Sequence, residues 1–316
     1  MKKFLTFALM LLMLFNLASC KKDDKDDNKG NEEVQRTYVV DGQYTAYSIN
    51  KEATKPEVTL VTVTIKDDKI SAVNIDTIQG SVTADGAAFN AQSKKELGYG
   101  YHMHWYSYQP AEGEEKTEEG YKAWLKANNK LEWHEQMALV EAQIVANGVA
   151  GVTVADGKFT NVAGVSVSAY DYLDLAAEAI QMAKDGKKQA VIAREDDLVV
   201  ASANVDKDGK LSNVVLDEIT GSFNKTDATW AWGHAKQELG YGYHMHWYSY
   251  QPAEGEEKTE EGYAAWLKAN NKLEWVDQAK LIVEAWVANG SVEYANIAGV
   301  TVANHDYLAV LNQLKK

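Results

Sequence analysis

The sequence predicts an α+β fold built from two tandem repeats, each a small antiparallel sheet packed with helices. Residues 96–133 and 238–275 are identical except for Lys122 against Ala264, and an internal repeat of that length marks a duplicated structural unit. Fainter correspondence runs outward, pairing 63–81 with 203–222 and 161–168 with 296–303, so the repeating unit has the size of a self-contained domain. Inside each unit, alternating β-branched runs give way to apolar residues three and four apart, the mark of a sheet followed by helices.

Strands are expected over 38–48, 58–66 and 70–78, with Asp-Lys and Asp-Gly turn signals between them that favour antiparallel pairing. Helices are expected over 87–97, 117–127 and 133–146, rich in Ala, Leu, Glu and Lys, with Thr117 as an N-cap and Gly148 as a stop. A short apolar strand-like piece and a last helix close each unit, the helices running over 170–184 and 305–314. The join falls at the KDGKK stretch, 184–188, and divides the folded part into domains 37–187 and 188–316.

The N-terminus reads as an export signal. Lys2 and Lys3 precede an apolar run, 4–17, and then Ala18, Ser19 and Cys20; the run is short for a bilayer span and suits a cleaved leader over 1–19. Leu-Ala-Ser-Cys resembles the lipobox of bacterial lipoproteins, which makes Cys20 the lipid-attachment residue and places the chain in the bacterial cell envelope, anchored to a membrane. Residues 20–36 then form a charged tether: 21–33 carry no apolar side chain that could repay the entropy of ordering. The Lys and Asp run after the cysteine resembles a surface-export signal and equally fits a plain solvated tether, so outer-membrane display stays open.

Cys20 is the single cysteine, which rules out an intramolecular disulfide, a cysteine nucleophile and a thiolate zinc site. The formal charge of −14 argues against nucleic acid or anionic lipid surfaces as partners. No triad or paired-carboxylate pattern points to catalysis, so a carrier or binding protein is expected rather than an enzyme.

The chemistry concentrates in the stretch LGYGYHMHWYSYQP, at 97–110 and again at 239–252, which holds four of the seven histidines. If HMHW is extended, His102 and His104 share one face, as do His244 and His246, a spacing that suits haem iron, copper or zinc, with Met103 and Met245 favouring copper. Tyr99, Tyr101, Trp105, Tyr241, Tyr243 and Trp247 offer flat faces to a planar cofactor or a sugar. The alternative is a glycine-initiated loop packed by its own aromatics. The acidic stretch 112–120 reads as a solvated turn.

Four further features carry a resemblance that spans nearly all of the mature chain. They are the Asp41-Gly42 strand opening, the hairpin over 63–73, KKELGYGYHM at 94–103, and the AGVS and AGVT steps before the last helix of each repeat. Together they resemble the FMN-binding domain family, here as a tandem pair, whose members include flavin-carrying lipoproteins of extracellular electron transfer and subunits of membrane redox pumps. The resemblance implies an FMN-bearing electron carrier with a redox partner protein, and FMN phosphate esterified to Ser166 and Thr301. A hydroxyl just ahead of a helix start puts phosphate near free backbone N–H groups, and Gly164 and Gly299 permit close approach. The family motif's acid is replaced here by Thr160 and Ala295, its first hydroxyl by Ala163 and Ala298, and its alanine by Val165 and Val300. Two other functions remain in view: a haem- or metal-binding lipoprotein using the histidine loops, and a module that binds a glycan or protein partner.

Overall fold

The computed structural model describes residues 36–50, 54–302 and 305–316; the leader, Cys20 and nearly all of the tether lie outside them. Each repeat opens with a four-stranded antiparallel meander in sequential order. The first comprises β1 (Gly42–Ile49), β2 (Glu57–Lys66), β3 (Lys69–Val82) and β4 (Ala87–Phe89). Helices α1 (Lys94–Leu97), α2 (Glu118–Ala127) and α3 (Trp133–Asn147), a small hairpin of β5 (Val154–Ala155) and β6 (Lys158–Phe159), and α4 (Tyr172–Asp185) complete it. The second repeats the order with β7 (Lys187–Arg194), β8 (Asp197–Val205), β9 (Leu211–Asn224), β10 (Thr229–Ala235), α5 (Lys236–Leu239), α6 (Glu260–Ala269), α7 (Trp275–Asn289) and α8 (His305–Gln313). The small hairpin has no counterpart among the described residues of the second repeat. The α+β class with antiparallel sheets is as the sequence predicts.

Strand alternation explains the layering. On β2, Val61, Val63 and Ile65 face the helices and pack with Met137, Val140 and Ile144 of α3 and Leu175, Ala176 and Ala179 of α4. Val58 and Leu60 point the other way, into a separate core with Leu198 and Val200 of β8. The two sheets therefore bury their second faces against each other, which is why β2 and β8 carry apolar residues at consecutive positions. The described residues from Arg36 to Lys316 form one compact unit.

The join between the repeats is a single residue. Gly186 follows α4 at φ 63° and leads directly into β7; a Cβ there would strike the Val205 carbonyl. The last residue also contributes to the first repeat, since the Lys316 carbonyl accepts from the Gln43 N–H at 3.0 Å.

The expected helix over 87–97 is corrected. Only Lys94–Leu97 is helical, started by a capping box between Ser93 and Glu96, while 87–89 pair with Gly80, Ser81 and Val82 as β4. Phe89 is buried in the core between the sheets, and that tertiary contact overrides the helical propensity of the alanines. Among the described residues no helix is long and apolar enough to cross a membrane.

Leu198, fully buried between the sheets, tests the shared core. Leu198→Ala should cost about 2–5 kcal/mol and move the denaturation midpoints followed by tryptophan fluorescence and by far-UV circular dichroism together, because the repeats share that layer. Separate transitions in the wild type would show that the two repeats unfold independently.

Candidate functional site

The duplicated aromatic segment is not extended. Gly98–Tyr101 form a single turn of 3₁₀-helix, and His102 closes it in the left-handed conformation at φ 60°. Further turn bonds follow, from the Trp105 N–H to the His102 carbonyl and from the Ser107 N–H to the His104 carbonyl. The alternation expected of a strand is lost, and with it the shared face for His102 and His104. The His102 ring instead stacks on Trp105 at 4.0 Å and meets the edge of Tyr121 at 5.5 Å. His244, Trp247 and Tyr263 repeat the arrangement at 4.0 and 5.5 Å.

A buried carboxylate holds this turn. Glu132, fully buried at the N-terminus of α3, accepts from the Met103 N–H with both oxygens at 3.1 and 3.2 Å, from the Tyr121 phenol at 2.5 Å and from the Trp133 N–H at 2.9 Å. The Tyr121 oxygen in turn accepts from the His104 N–H at 2.9 Å. Burial, and then the Glu132 carboxylate, push the Tyr121 phenol well above the usual tyrosine range. Glu274, Tyr263, Met245 and His246 form the same set in the second repeat. Gly120 and Gly262 are required because the Tyr108 and Tyr250 hydroxyls occupy the places of their Cβ atoms.

The sequence-nominated residues divide accordingly. Tyr99 and Tyr241 donate to Glu135 and Asp277 at 2.7 and 2.9 Å. Trp105 and Trp247 pack inside their aromatic clusters, and the Met103 and Met245 sulfurs accept from Gln136 and Gln278. Tyr101 and Tyr243 face the ammonium groups of Lys94 and Lys236. The fully displayed aromatics are Tyr106 and Tyr248, 95% and 98% exposed. Among the described residues no three metal-ligating side chains assemble into a site. The His102 and His244 Nε2 atoms are buried with no hydrogen-bond partner, and a Glu260 carboxylate oxygen stands 4.0 Å from the latter.

Ser166 and Thr301 are exposed and stand in matching settings. Gln136 Oε1 accepts from the Ser166 N–H at 2.6 Å, the Val167 N–H at 3.1 Å and the Ser166 hydroxyl at 3.3 Å. Gln278 does the same for Thr301 and Val302 at 2.7, 3.1 and 3.2 Å. The expectation of free N–H groups at a helix start is therefore corrected: a carboxamide holds those groups, and α4 begins only at Tyr172. In the first repeat a cation supplements the site, since the Lys158 ammonium donates to the Ser166 carbonyl at 3.3 Å and the Ser168 hydroxyl at 2.9 Å. Gly164 and Gly299, both at φ 85°, lie against Leu131 and Leu273, so their role in this structure is close packing of the turn.

Glu132, Tyr121, Gln136 and Lys94 were not singled out by sequence reasoning. The first two lie in the repeated block and were open to recognition from it, whereas Gln136 gains its meaning from a contact thirty residues away.

No family model matches the chain, and no curated protein matches it. Among solved structures it is similar to a solution NMR structure of a structural-genomics target from Clostridium thermocellum, with 22% identity, coverage of 45% of this chain and 89% of that one, and a TM-score of 0.26.

Glu132→Gln should lower stability by roughly 2–4 kcal/mol, because an amide cannot accept from all these donors and leaves buried groups unpaired. Near-UV circular dichroism and the melting temperature check this, and Glu274→Gln should behave alike. A second expectation concerns Asp197, whose carboxyl burial and then the Glu218 charge push up to about 6. The folded state then holds that proton more tightly than the unfolded chain, so this contribution to stability is present below about pH 4 and lost as pH rises through about 6. Asp197→Asn should accordingly be more stable than wild type at pH 8 by on the order of 1 kcal/mol, with the gap closing towards pH 4, as measured by urea unfolding at both values.

Proposed function

We propose that this chain is a lipid-anchored carrier of the cell envelope that passes electrons through FMN held on one or both repeats, without catalysing a reaction of its own. One observation carries the reading: a hydroxyl stands exposed at the matching place in both repeats, on a turn pinned by a buried glutamine, and in the first repeat a lysine ammonium lies against that turn. These residues fit a phosphoester. Ser166 and Thr301 would carry the link, Gln136 and Gln278 would fix the direction of the hydroxyl, and Lys158 would balance phosphate charge in the first repeat. FMN, when bound, supplies the redox chemistry, and the protein supplies placement and charge.

The acidic surface and the tether suit a redox partner protein as the other end of the transfer. A second reading is favoured by Tyr106 and Tyr248, almost wholly exposed at the same point of both loops: a module that binds a glycan or a protein partner through paired tyrosines.

The test is to produce the full chain together with a flavin transferase and to read visible absorbance and intact mass. Flavin bands with one or two FMN masses added are expected; Ser166→Ala and Thr301→Ala should each remove the mass carried by its own repeat, and the pair should remove all of it. A colourless chain of unmodified mass would remove the carrier reading.

A further inference from the structure

The two repeats treat one buried lysine differently. Lys94 is 8% exposed, and its ammonium has aromatic rings for neighbours, Tyr101 at 5.2 Å and Trp133 at 5.3 Å. Among the described residues no carboxylate pairs with it, and Glu57 and Asp76 act on it only through space. The second repeat keeps the lysine and both rings, with Lys236 6% exposed and Tyr243 and Trp275 at 4.6 and 5.4 Å. There the ammonium meets Glu218, itself 2% exposed, at 2.7 Å. The Tyr307 phenol donates to the same carboxylate oxygen.

Thr77 stands where the second repeat has Glu218. Each follows an aspartate, Asp76 or Asp217, whose Oδ1 accepts from the N–H of Lys95 or Gln237 at 3.1 and 3.0 Å, so the register is fixed structurally as well as by sequence. Tyr172 likewise stands for Tyr307. Thr77 lies on the wall of a cavity of about 430 Å³, which also includes Lys94, Tyr172, Thr59, Glu57 and Asp171. Thr77 Oγ1 is buried with no partner of ordinary hydrogen-bond geometry, although it lies close enough to the Tyr172 phenol to act on its ionisation. A buried ammonium with no carboxylate against it and a buried hydroxyl with no well-formed hydrogen bond are costly.

We propose that the first repeat binds a small free carboxylate in the place that Glu218 fills in the second, received by Lys94, Thr77 and Tyr172. The second repeat thus carries its ligand as a side chain. The cavity wall also holds two carboxylates: Glu57 accepts from the Gln79 amide and Asp171 from the Ser48 hydroxyl, and their charge favours a ligand that bears ammonium or hydroxyl groups besides its carboxylate. The class is a short amino or hydroxy carboxylic acid. The site does not depend on flavin and goes beyond that reading.

Calorimetric titration of the full chain with L-alanine, L-lactate, propionate, propionamide and inorganic phosphate tests it. One equivalent of alanine or lactate should bind, propionate more weakly, and propionamide should not bind. Lys94→Met should weaken binding roughly 10- to 100-fold. Thr77→Glu should abolish binding and raise the melting temperature, because the new side chain occupies the site and pairs with Lys94. Failure of every carboxylate to bind, binding of phosphate alone, or unchanged binding in either variant would overturn the proposal. So would a fall in the melting temperature of Thr77→Glu.

Discussion

The structure of both repeats depends on one buried carboxylate in each. Glu132 and Glu274 gather a phenol and the backbone N–H groups at the end of the aromatic turn and at the start of the long helix. A charge in that position is tolerated because every donor is aimed at it, and each charged hydrogen bond is stronger than a neutral one. The near-identity of the two blocks becomes intelligible on these terms. Phenol, carboxylate, left-handed histidine and the glycine beneath Tyr108 are mutually constraining, so a change at one place leaves another group unpaired or overlapping.

Around that fixed element the copies were free to diverge where the environment allowed it. The β-hairpin of the first repeat brings Lys158 to Ser166, and the second repeat has no such element among its described residues. Thr77 and Glu218 occupy one position with opposite consequences for the lysine beside them. The pair of repeats therefore combines a common scaffold with differences both at the exposed turn and in the interior.

Much of the fold was legible in the sequence because its signals are local. Alternation over 58–66 and the Thr117 cap each depend on near neighbours, and both correspond to elements of the structure. The segment 87–97 was misread because Phe89 answers to a core shared with the other repeat. For the histidine segment the extended form gave way to the alternative of a loop packed by its own aromatics, because its conformation turns on His102 at a positive φ, which composition does not announce. Gln136 had no signal at all beyond lying on a helix. The contrast of Thr77 with Glu218 was open to inspection once the repeats were aligned, but its meaning required the lysine opposite.

The single-residue join at Gly186 and the sheet-to-sheet contact together make the distance between equivalent points on the two repeats a constant of the molecule. Tandem units on a flexible linker sample a range of separations and bind a pair of targets with an affinity set by effective concentration. Here the sampling is absent. Whatever engages both copies at once must match their spacing in advance, and a target spaced otherwise meets only one of them.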